Sequence, residues 1–212
     1  MRRITWVLSS IIAAVPLAQA NPIQYTITVN TASIAGTNGS LDFNFNPGPL
    51  LSQSASLQIL NFTSSGGLAG TPIETGDATG NLPGTLTFDN GTGFNDYFEG
   101  FKYGTSLSFE ASLYGPALSS PDGVSTSGST FAFTMFADPT GTTPILTTDK
   151  VNGYAVTIGV NLDGSTTLTS YIPTSVPEPA DWLLLPGGLG LVAFGARRFG
   201  GVHKPRIELG RA

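Results

Sequence analysis

The side chains able to do chemistry are few, and their inventory removes whole classes of reaction. The 212 residues contain no cysteine and one histidine, His203. Thiolate nucleophiles, disulfide frameworks and thiolate metal sites are thereby ruled out. His203 lies outside the β-rich body delimited below, so neither a Ser-His-Asp triad nor a histidine-ligated zinc centre can be assembled in that body. Glycoside hydrolysis needs only two carboxyl groups at a fixed separation, and Glu99 and Glu110 are the candidate pair. Glu110, however, alternates with Leu107, Phe109 and Ala111 and so falls on the opposite face of its strand. A solvated strand glutamate is the plain alternative, and no enzymatic activity is expected.

The stretch richest in oxygen ligands runs Asp89-Asn90-Gly91-Thr92-Gly93-Phe94-Asn95-Asp96. A loop offering Asp89, Asn95 and Asp96 together with backbone carbonyls is the kind of site calcium takes. The same Asp-Asn-Gly composition is ordinary turn chemistry. No cofactor is expected, with calcium at this loop as the alternative. Tyr97, Tyr103, Tyr114 and Tyr171 are candidates for stacking on sugar rings in a carbohydrate-binding module; filling a core and pairing across strands is their other use.

These residues must be positioned by the elements around them, and the chain divides into three parts. Arg2 and Arg3 precede an apolar segment from Ile4 to Ala18, and Ala18-Gln19-Ala20 offers the small residues a signal peptidase requires. Residues 1–20 therefore read as a secretory signal peptide cut after Ala20. Near the other end, Val176, Pro177, Glu178 and Pro179 stop regular structure, because each proline fixes φ and removes an amide donor. The apolar run 182–196 follows, closed by Arg197 and Arg198. It is expected to enter the inner membrane transiently as a transmembrane helix, with the two arginines held on the cytoplasmic side. Fifteen residues at ~1.5 Å rise span roughly 22 Å against a hydrocarbon core of about 30 Å, so the run is short. Pro186, Gly187, Gly188, Gly190 and Gly195 weaken it further as a helix. A permanent anchor and a buried core helix are the alternatives.

Val176-Pro177-Glu178-Pro179, the following Leu183, Leu184 and Leu185, the glycine-rich apolar remainder and Arg197-Arg198 together resemble the PEP-CTERM sorting signal of Gram-negative, exopolysaccharide-producing bacteria. Such tails usually end at the basic cluster; here fourteen residues follow Arg198. The resemblance implies an exosortase, an integral-membrane enzyme, that recognises and removes residues 176–212. Interior blocks also resemble one uncharacterised β-rich subfamily of exported PEP-CTERM proteins: Phe45 to Pro49, Leu86 to Asn90, Phe101 to Gly104 with Leu107-Ser108-Phe109, Phe131 to Asp138, and Pro144 to Asp149. These blocks imply no activity. The resemblance implies a structural or interaction component of the cell envelope or of an exopolysaccharide-rich biofilm matrix. Its partners would be signal peptidase and exosortase during export, and exopolysaccharide afterwards.

Residues 21–175 form the exported body. Lys102 and Lys150 are its only cations against eleven carboxylates, a formal charge of −9, while seven of the nine basic residues of the chain lie in the two end segments. An acidic surface repels phosphate backbones, so nucleic acid is excluded as a partner. Thirteen Phe and many short alternating runs point to an all-β domain. Tyr25, Ile27 and Val29 share one strand face; so do Leu41, Phe43 and Phe45, then Ala55, Leu57 and Ile59, with a change of face at Leu60 and Phe62 that requires a bulge. Residues 64–83 lack periodicity and read as an irregular excursion with at most a short strand near Ile73. Tyr97 to Tyr103 and Ser106 to Tyr114 read as a pair joined through Gly104. Phe131, Phe133 and Met135 line up, and Tyr154 to Tyr171 reads as a closing hairpin turning at Asp163-Gly164. Near ten strands without an amphipathic helix predict an antiparallel β-sandwich, jelly-roll-like in topology.

Overall fold

Short runs that alternate apolar with polar residues can bury only one face, so they must stack sheet on sheet. The computed structural model describes residues 21–174. The signal-peptide residues, including Ala18 and Ala20, and the sorting residues Val176, Pro177, Glu178, Pro179, Arg197 and Arg198 lie outside the described residues.

Eleven strands occur: β1 (Ile23–Asn30), β2 (Asn38–Pro47), β3 (Ser56–Ser64), β4 (Gly67–Thr75), β5 (Ala78–Gly80), β6 (Leu86–Asp89), β7 (Asp96–Lys102), β8 (Ser106–Tyr114), β9 (Ser129–Phe136), β10 (Val156–Val160) and β11 (Thr166–Ser170). They form two antiparallel sheets packed together, one ordered β1-β8-β3-β6-β5 and the other β11-β10-β9-β2-β7-β4. The inner faces hold the residues that alternation predicts: Val29, Leu57, Ile59, Leu86, Phe88, Leu107 and Phe109 from the first sheet, Leu41, Phe43, Phe45, Phe131, Phe133, Met135 and Ile158 from the second. Phe109 reaches across to Phe43 and Phe133, with ring centroids 5.2 and 5.0 Å apart and edge-on planes. Edge-to-face pairs of this kind add about 0.5–1.5 kcal/mol each to the burial itself.

The face change at Leu60 is met by a register shift between Leu60 and Thr63 and a left-handed Asn61 (φ 54°). The β10–β11 hairpin also forms as expected, with Val156 to Val160 opposite Thr166 to Ser170. Gly164 supplies its positive φ of 81°, a conformation costly for any residue with a Cβ.

Three expectations are corrected. The excursion at 64–83 is in fact nine-residue β4 followed by β5; β4 is an edge strand with no fully buried residue, so it carries no apolar alternation to read. Strands β7 and β8 are consecutive but not paired: β7 lies between β2 and β4, β8 between β1 and β3. The chain crosses from one sheet to the other at Gly104. The transmembrane helix is also corrected. Among the described residues no helix is long and apolar enough to cross a membrane. The longest is α1 (Pro116–Ser119), and the run 182–196 lies outside the described residues.

Candidate functional site

Strands β2, β3, β6, β7, β8, β9, β10 and β11 all begin or end at one pole of the sandwich, and their loops share it. Its polar framework is built from two buried asparagines. Asn95, fully buried, accepts from the Asp77 N–H (2.8 Å) and the Thr92 hydroxyl, and donates to the carbonyls of Phe45 and Thr92 (both 2.9 Å). Asn90 accepts from the Ala55 N–H (2.9 Å) and donates to the Gln53 carbonyl (2.8 Å) and Ser129 Oγ (2.7 Å). Each satisfies backbone groups that would otherwise be buried unpaired.

On this framework the loops expose apolar side chains. Leu50, Leu51, Phe94, Val124 and Leu162 are each more than half exposed, and they are five of the eight large exposed hydrophobics among the described residues. The loops that carry them are pinned. Leu51 O accepts from the N–H groups of Thr126 (2.9 Å) and Ser127 (3.0 Å). Gln53 donates to Ser120 O and accepts from the Asp122 N–H (both 2.9 Å), and Asp122 Oδ1 accepts from the N–H groups of Val124 (3.0 Å) and Ser125 (2.9 Å). Those donors hold the Asp122 carboxyl below its ordinary range. Apolar groups held out on hydrogen-bonded loops are suited to contact with a partner.

The residues considered for calcium do not converge. Asp89 ends β6 in the first sheet and accepts from the Ser56 hydroxyl. Both donors to the Asn95 side-chain oxygen are protein groups. Asp96 begins β7 in the second sheet and bonds to Asp42. Glu99 and Glu110 are also kept apart. Glu99 lies on the inner face of β7, 5 % exposed, accepting from Tyr97 Oη at 2.5 Å. Glu110 lies on the outer face of β8, where Asn61 Nδ2 donates to it at 3.4 Å. Of the sugar-stacking candidates, Tyr97 and Tyr103 are core residues: Tyr97 Oη also accepts from the Leu82 N–H (3.2 Å), and Tyr103 donates to the carbonyls of Ser40 (2.8 Å) and Phe136 (3.1 Å). Tyr114 and Tyr171 are half-buried.

One pair of carboxyls that strand periodicity does not reveal is brought together on the outer face of the second sheet. Asp42 on β2 and Asp96 on β7 are hydrogen-bonded to each other, and Asn44 Nδ2 donates to Asp42 Oδ1 at 3.3 Å. Burial raises both, and the neighbouring Asp42 carboxyl adds to the rise at Asp96, pushed up to about 8. Neither lysine of the body acts on them. Tyr154, which precedes β10, is raised by its own burial and by the charge of Asp42 and Asp149. Two carboxyls that cannot both ionise hold a proton between them and can give it up or take it back. The signal for this pair is the β2–β7 register, which sets Asn44 opposite Asp96 and Asp42 opposite Phe98. Among the described residues no group of three or more acidic or histidine side chains is placed to hold a metal. No family model, no curated protein and no solved structure matches this chain.

Proposed function

We propose that this is an exported, exosortase-processed protein of the PEP-CTERM type, a non-enzymatic structural or interaction component of the envelope, surface or exopolysaccharide matrix of a Gram-negative bacterium. The observation that carries the reading is the order Val176-Pro177-Glu178-Pro179, apolar run, Arg197-Arg198, behind an amino-terminal segment ending Ala18-Gln19-Ala20. Signal peptidase and exosortase are its partners during export, and exopolysaccharide its surrounding afterwards. The acidic, cysteine-free body suits an exterior in which it has no nucleic acid to bind. Replacing Glu178 by Ala in the native host tests this. The variant is expected to accumulate with residues 180–212 still attached, and normal removal of the tail would overturn the assignment.

The finer topology belongs to the same proposal: a jelly roll, formed when one antiparallel ribbon of eight strands is folded double and rolled up. Its support is the partnering of β1 with β8, β2 with β7 and β3 with β6, the pairs such a ribbon makes. Strands β9, β10 and β11 extend the second sheet beyond β2, and β5 departs from the scheme by pairing with β6.

A second reading, a carbohydrate-binding module, is favoured by one observation, the exposed Phe94 ring among the pinned loops of the asparagine-braced pole. It predicts retention of the protein on the host's own exopolysaccharide, lost on Phe94→Ala. Equal retention of both forms would remove it.

A further inference from the structure

A sandwich has four sheet edges, and each presents unpaired backbone groups that natural proteins blunt with bulges, prolines, charges or short length. Three edges here are treated in that way. β4 carries Pro72, Glu74 and a register shift between Ala69 and Ile73. β5 has three residues, and β11 has five. β1 has none of these devices. Its eight residues, Ile-Gln-Tyr-Thr-Ile-Thr-Val-Asn, pair with β8 in unbroken register from Ile23 to Asn30 and include no charge and no proline.

The side of the sandwich bounded by β1 and β11 is also apolar and incompletely closed. Tyr25 Oη and Thr166 Oγ1 bridge the two edges at 2.7 Å, while Ile23 and Tyr25 stay half-buried and Leu168, opposite Ile158 in the β10–β11 pairing, is 44 % exposed. Every other approach to the body meets carboxylates: Glu74 at the β4 edge, Asp96 and Glu110 on the two outer faces, Asp122 at one pole and Asp138 at the other. A second molecule carrying the same charge of −9 is therefore repelled from all sides but this one.

We propose that the protein self-associates through β1, two copies pairing antiparallel so that each five-stranded sheet continues into its partner's and Leu168 is covered. The strand is complementary to itself. Antiparallel pairing centred on Thr26, Ile27 or Thr28 sets Gln, Thr and Asn against one another on the outer face and apolar residues against one another on the inner face, with no like charges opposed. The nearest acidic residue on the neighbouring strand, Glu110 opposite Thr26, is three strand spacings, about 14 Å, from its counterpart in the second copy, beyond the ~8 Å Debye length of physiological salt. The inference does not rest on the sorting signal, since the strand is the same before and after processing.

The absence of cysteine makes the test specific. In the full chain, single cysteines at Thr26 and Thr28 are expected to give a disulfide-linked dimer on mild oxidation, whereas Thr71→Cys on β4 stays monomeric. Light scattering is expected to give twice the chain mass for the unsubstituted protein and the single-chain mass for Thr26→Lys/Thr28→Lys, which opposes like charges in each of the three registers. The melting temperature of the double variant should be unchanged at concentrations where both proteins are monomeric, because both side chains are exposed. Failure of both β1 cysteines to cross-link overturns the proposal, as does equal cross-linking at Thr71. An unsubstituted protein of single-chain mass also overturns self-pairing, in favour of a strand from another protein or of no occupant.

Discussion

The β2–β7 pair carries carboxyl groups on both of its faces, and the two faces treat them differently. On the inner face Glu99 is enclosed by the aromatic core and accepts from the Tyr97 hydroxyl, which is itself raised above its ordinary range by burial first and by Glu99 second. On the outer face Asp42 and Asp96 have each other, Asn44 and the nearby Tyr154. The inner group is fixed by a neutral donor supplied by the fold. The outer pair has no cation and must keep a proton to coexist. One strand pairing thus holds a structural carboxyl and a titratable one only a strand's thickness apart, separated by the side-chain alternation of period two.

The contrast can be broken most forcefully from the inside. Phe109→Ala removes the ring that joins the two sheets through Phe43 and Phe133; a loss of about 3–5 kcal/mol is expected from denaturant titration. Asn95→Ala comes next, because it strands the Asp77 N–H and the carbonyls of Phe45 and Thr92, each at about 1–3 kcal/mol before any relaxation. A chelator is expected to leave the melting temperature of the unsubstituted protein unchanged, since the oxygen of Asn95 is already occupied; a downward shift would restore the calcium reading. Tyr97→Phe, which removes only the donor to Glu99 and the acceptor for the Leu82 N–H, is expected to cost about 1–3 kcal/mol.

The smallest effect sharpens the outer side. Asp96 has a folded value of about 8 against an ordinary 3.8, so the folded chain holds its proton where the unfolded chain has lost it. The stability it contributes is present below pH ~4 and declines as pH rises toward ~8, the direction required when the native state binds more protons. Asp96→Asn should flatten that decline, measured as melting temperature across this range. Asp122, Asp138, Asp149 and Asp163 are lowered by hydrogen bonds from their own turns, Asp138 first by the Thr140 hydroxyl. They act oppositely, with stability falling as pH drops below the ordinary carboxylate range, and this limb should persist in the variant.

Much of the fold was legible because burial on one face leaves a period of two in the sequence. Leu41, Phe43 and Phe45, then Phe131, Phe133 and Met135, announce inner faces directly, and the bulge at Leu60 follows from a break in that period. What was not legible depends on long-range pairing. β4 buries nothing fully and leaves no pattern, and the separation of β7 from β8 into different sheets is decided by partners distant in the chain. The Asp42–Asp96 pair has the same cause, since fifty-odd residues separate carboxyls that a β2–β7 register brings together. Tyr97 and Tyr103 look exposed only if strand faces are left unassigned; once Phe101 is set inward, both share its face. The pole of exposed loops was missed because single Leu and Val residues in turns carry no periodic signal. The two end segments are the reverse case, read wholly from composition and order, and the proposed export and processing rest on them.

The most direct test of that proposal is the intact mass of the mature protein isolated from its native host. A chain beginning at Asn21 and ending within the Pro177-Glu178-Pro179 region, with any attached group appearing as added mass, is the expected result. Native material that still carries residues 180–212 would contradict it.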